Sequence, residues 1–64
     1  MKVKLPDSEI VKAWKVQILS LLKGKFAEGV TPEDVLSVFP VAPLRHVTAA
    51  IEDLKKEKVV EEVE

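Results

Sequence analysis

The sequence predicts a mainly α domain of three helices, with short strands at its margins. Three observations carry that prediction. Ile10, Val11, Trp14, Ile18, Leu21 and Leu22 recur at helical spacing. Thr31-Pro32-Glu33-Asp34 has the composition of a helix start. Leu44, Val47, Ile51 and Leu54 form a second apolar stripe of the same period. The 64 residues allow a single domain, 1–64. A chain this short must commit nearly all its large apolar side chains to the core. The expected core is Trp14, Ile18, Leu22, Val35, Phe39, Val47, Ile51 and Leu54. There is no Cys to supply a disulfide or a thiolate metal site.

Residues 1–6, MKVKLP, alternate Lys2 and Lys4 with Val3 and Leu5, which reads as a short strand or an extended arm. Pro6 disfavours helix before it, and Asp7 is the expected N-cap. The first helix is then placed at Ser8–Lys23, with Lys15 snorkelling beside the apolar stripe and Gly24 as C-cap. Val16 points away from the stripe, and with Leu19 it is a candidate contact surface. Gly29 marks a turn and Val30 a one-rung strand. Thr31 caps the second helix, Pro32 takes its first position, and Val35, Leu36 and Phe39 are its buried side chains. Pro40-Val41-Ala42-Pro43 matches a polyproline ligand pattern, but between two helices it reads as a turn. The third helix is placed at about Pro43–Lys56, with Ala42 a poor cap. The Val-rich tail, Lys58–Glu64, reads as a strand.

This order of elements resembles the winged-helix branch of the helix-turn-helix superfamily. The likeness rests on Gly29-Val30-Thr31-Pro32-Glu33-Asp34-Val35-Leu36 and on Val47 through Val60, and spans about residues 8–64. It implies a small archaeal-type domain with a truncated wing. Glu57-Lys58 stand where such domains often carry Gly, and no return strand is expected within residues 1–64. The arm is a candidate replacement, with Lys2 and Lys4 facing Glu61 and Glu62 across a ladder. In this frame the third helix takes the recognition position.

The net charge of −1 conceals an asymmetry. Residues 1–25 carry six Lys against Asp7 and Glu9, a net +4, and residues 26–64 carry four basic side chains against nine acids, a net −5. The first part can therefore attract an anion although the whole chain does not. The expected exposed face of the third helix holds Arg45, His46, Ala49, Glu52, Asp53 and Lys56, with Glu52 and Lys56 paired. Its first turn is basic and uncapped, so a phosphate there would meet free N–H groups. The expected function is nucleic-acid binding within a transcription, replication or translation assembly. Arg45, His46, Ala49, Lys12, Lys15, Lys2 and Lys4 are the candidate contacts. The alternative is a protein–protein adaptor of the same fold, including a homodimer pairing through edge strands.

Catalysis is not expected. His46 is the only His, Gly24 and Gly29 are isolated, and no metal-ligand spacing or phosphate loop is present. No cofactor or metal is therefore expected. No apolar run approaches the ~20 residues of a spanning helix, and MKVKLPDSE is unlike a signal peptide. A cytoplasmic location without membrane contact is the expectation. Abundant Lys, Glu and Val with no Asn and one Gln suggest a thermophilic source.

Overall fold

A computed structural model describes residues 1–62. Three helices follow one another: α1 (Asp7–Leu22), α2 (Pro32–Val38) and α3 (Leu44–Lys56). The mainly helical, three-helix prediction holds. The described residues contain no strand, which corrects the two strands expected at Val30 and in the tail. Val30 instead packs its side chain on the core from a non-helical connection. The tail is turned at Lys58, and Val60 packs on the same core. A strand needs a partner for its ladder, and none of the described segments provides one. Val63 and Glu64, the end of the expected tail strand, lie outside the described residues.

Pro6 and not Asp7 occupies the N-cap of α1, and no side chain caps that end. The Pro6 carbonyl accepts from the N–H groups of Glu9 and Ile10 at 3.0 and 3.1 Å. Asp7 is the first helical residue, where it and Glu9 complement the helix dipole. At the other end Lys23, still right-handed at φ −83°, takes the C-cap expected at Gly24. The chain leaves through successive turns to Gly29, whose φ of +144° requires glycine.

α2 begins as its sequence predicts. Thr31 Oγ1 accepts from Asp34 N–H at 3.2 Å, and Thr31 N–H donates to Asp34 Oδ2 at 3.0 Å. This reciprocal box, with Pro32 in the first turn, satisfies two orphan backbone donors of a seven-residue helix. The N-cap of α3 is Pro43, one residue after the expected cap Ala42, and no side chain caps the helix. Its C-terminus is closed by a left-handed residue. Lys58 has φ +59°, its N–H donates to Lys55 carbonyl at 3.1 Å, and Val59 N–H donates to Leu54 carbonyl at 3.1 Å. That pair of bonds defines a Schellman closure, with a lysine where glycine is favoured.

Ile18, Val35, Val47, Ala50, Leu54 and Ala42 form the buried centre. Trp14, Leu22, Phe39 and Ile51, expected in the core, pack against it while keeping part of their surface in solvent. Trp14 and Phe39 meet edge to face, with centroids 5.4 Å apart and planes at 69°. Leu44 is a correction to the predicted stripe, being 53% exposed. The inward positions flanking it in sequence are filled by Ala42 and His46. No helix among the described residues is long and apolar enough to cross a membrane.

Candidate interaction face

Two polar contacts define how α1 lies on α3. Near the start of both helices, Asp7 Oδ1 is 3.3 Å from His46 Nε2. Further along, Lys15 Nζ is 3.0 Å from Glu57 Oε2 and 3.8 Å from Asp53 Oδ2. Moving along α1 from Asp7 to Lys15 therefore moves along α3 from His46 towards Glu57, so the two helices run in the same direction. Their N-termini share one end of the molecule. The arm, residues 1–6, leaves from that end, with Met1, Val3 and Leu5 all exposed.

This geometry divides the predicted contact residues. Arg45 is exposed in the first turn of α3 and has no ion pair among the described residues. The N–H groups of Leu44 and Arg45 precede the first helical hydrogen bonds, which run from His46 and Val47 to the Pro43 carbonyl. Lys2 and Lys4 are exposed on the arm, and Ala49 is half-buried at the edge of the face. Lys12 is exposed but bridges to Glu9 at 3.2 Å.

Two predicted contacts are corrected. His46 is only 8% exposed: it faces Asp7 across the α1–α3 seam, and its Nδ1 is buried with no partner. Lys15 keeps 18% of its side-chain surface and spends its charge on Glu57 and Asp53. The same bridge draws Asp53, whose side chain is still 47% exposed, towards Lys15. The expected Glu52–Lys56 pair is replaced by Lys55, which reaches Glu52 at 3.4 Å and Glu62 at 3.0 Å. The hydrogen bonds that Lys55 Nζ donates to Glu62 and then to Glu52 hold the pKa of its ammonium above the ordinary lysine range. Sequence reasoning could not have found the Asp7–His46 contact, because the partners lie 39 residues apart.

Two apolar features accompany these charges. At the α2–α3 turn, Val38, Val41 and Leu44 are 38%, 92% and 53% exposed, beside Arg45. On another side, Ile18 and Leu22 of α1, Ile51 of α3, Val30 and Val60 line a groove of about 420 Å³. Val16 and Leu19, the contact pair expected on the first helix, border only a shallow depression, and Leu19 is partly buried against the core. Among the described residues no three His, Cys, Asp or Glu side chains converge to hold a metal ion. No protein-family model matches the chain, and no curated protein or solved structure matches it.

Proposed function

We propose that the protein binds nucleic acid as a small helix-turn-helix domain of winged-helix type, with α2 and α3 as the two-helix unit. The observation that supports this best is Arg45. It is an exposed cation without an ion-pair partner among the described residues, in the uncapped first turn of α3. The Lys2/Lys4 arm emerges at the same end. A phosphate there would meet a guanidinium and free backbone N–H groups together. On the outer face Arg45, Ala49, Glu52 and Lys56 carry a net charge of +1, and the half-exposed Asp53 leans towards Lys15. The role is binding and not catalysis.

The test is duplex binding at two salt concentrations, because each neutralised phosphate contributes about −0.9 to the log–log salt slope. Arg45→Glu is expected to remove most binding. Lys12→Glu is expected to weaken it less, with a slope smaller by roughly one contact. Glu52→Ala is expected to leave binding equal or tighter. Absence of duplex binding by the parent chain at low salt would overturn the reading. A second reading, a protein–protein adaptor, is favoured by the exposed Val38, Val41 and Leu44. It predicts partner capture sensitive to Val41→Asp and indifferent to Arg45→Glu.

A further inference from the structure

The groove floored by Ile18, Leu22, Val30, Ile51 and Val60 is rimmed by four acids, Glu28, Glu52, Glu61 and Glu62, with Lys55 as the one cation among its lining residues. Lys55 is already engaged by Glu52 and Glu62. The rim therefore carries a net charge of −3 over an apolar floor. Its walls include backbone with hydrogen-bonding capacity to spare. Neither Val30 nor Val60–Glu62 makes a backbone–backbone hydrogen bond with the described residues. An occupant that satisfies all of this is a short extended segment, apolar on one side and basic on the other.

The chain contains such a segment. In an extended conformation residues alternate sides, so Met1, Val3 and Leu5 share one face of the arm and Lys2 and Lys4 the other. Met1, Val3 and Leu5 are 118%, 83% and 57% exposed, so most of this apolar face is open to solvent in its own molecule. We infer that the arm of one copy seats in the groove of a second copy, with Val3 and Leu5 on the apolar floor and Lys2 and Lys4 against the glutamate rim.

In its own molecule the arm stays out of the groove: Val3 and Leu5 are 83% and 57% exposed, and no residue of the arm is among the groove's lining residues. A second copy is therefore the occupant. Exchange between two copies is reciprocal, each giving one arm and receiving one, so the contact closes as a two-fold dimer. Two five-residue segments make a small interface, and the dimer is accordingly salt-sensitive and dissociates on dilution. A docked arm withdraws Lys2 and Lys4 from nucleic acid but leaves Arg45 exposed. The inference does not depend on the function proposed above.

Charge reversal by mixing is the test. One variant carries Lys2→Glu and Lys4→Glu; the other carries Glu61→Lys and Glu62→Lys. All four positions are exposed, and circular dichroism of each variant checks that the helices persist. Sedimentation velocity across a concentration series is expected to show a dimer for the parent chain and monomer for each variant alone. Mixed in equal amounts, the variants are expected to recover the dimer, since the reversed arm now meets the reversed rim on the other molecule and the unchanged arm meets the unchanged rim. A parent chain that stays monomeric at all concentrations would overturn the inference. So would variants that dimerise as well as the parent, which would place the interface elsewhere, or a mixture that stays monomeric.

Discussion

Lys58 is the clearest example of a side chain working against its backbone. It holds φ +59° to complete the closure of α3, a conformation that costs a non-glycine residue ~1–2 kcal/mol. Lys58→Gly is expected to stabilise the fold by about 1 kcal/mol, less the backbone freedom glycine regains when unfolded. In a domain of this size that gain raises the thermal midpoint by several degrees, ~4–8 °C per kcal/mol. A melting curve at or below that of the parent would mean that the left-handed turn is not populated in solution. The sequence pointed to this position through the absence of Gly at Glu57-Lys58, but not to the consequence that a lysine adopts the glycine conformation. His46 went astray for a different reason. On a helical wheel it sits beside Arg45 on the outer face, and only the Asp7 carboxylate, 39 residues away in sequence, shows that it belongs to the seam. Helical spacing identifies a face but not which neighbour covers it.

The elements differ in how far local chemistry determines them. α2 has seven residues, too few for propensity to sustain it. Its capping box and its packing against α3 hold it in place. Thr31→Ala is expected to cost ~0.5–2 kcal/mol, because Asp34 N–H then loses its acceptor, whereas Thr31→Asp should restore most of the loss. Denaturant midpoints of the two variants check this, and equal midpoints for Ala and parent would place the start of the helix elsewhere. That start was legible in the sequence because every participant lies within four residues. The helices were legible too, since a 3.6-residue period needs no knowledge of what it packs against. The strands were not, because a run of valines describes a surface that wants burial and does not supply the ladder partner. Val30 and Val60 are partly buried as expected of apolar residues, but by side-chain packing rather than by sheet pairing.

In the molecule as a whole, stability and proposed binding lie in different places, and core substitutions can separate them. The buried centre is small: Ile18, Val35 and Val47 are the largest side chains with almost no exposure, and Leu54 follows at 2%. A domain below about 70 residues rarely has more than ~3–5 kcal/mol from its core. Leu54→Ala removes three carbons from a fully enclosed site on α3 and should cost ~2–5 kcal/mol, which leaves the variant largely or wholly unfolded near room temperature. Ile51→Ala removes a similar volume from a side chain that is only half-buried and borders the open groove. Water can enter the space left behind, so the cavity part of the cost falls away and the loss should be clearly smaller than at Leu54. Heat denaturation of both variants followed by far-ultraviolet circular dichroism tests the order. Equal losses would mean that Ile51 is enclosed in solution, with something covering the groove. Repeating the Ile51→Ala measurement on the Lys2→Glu, Lys4→Glu background then identifies the cover. If the arm of a second copy seals the groove, the cost of Ile51→Ala falls once the arm can no longer dock, while the cost of Leu54→Ala does not change.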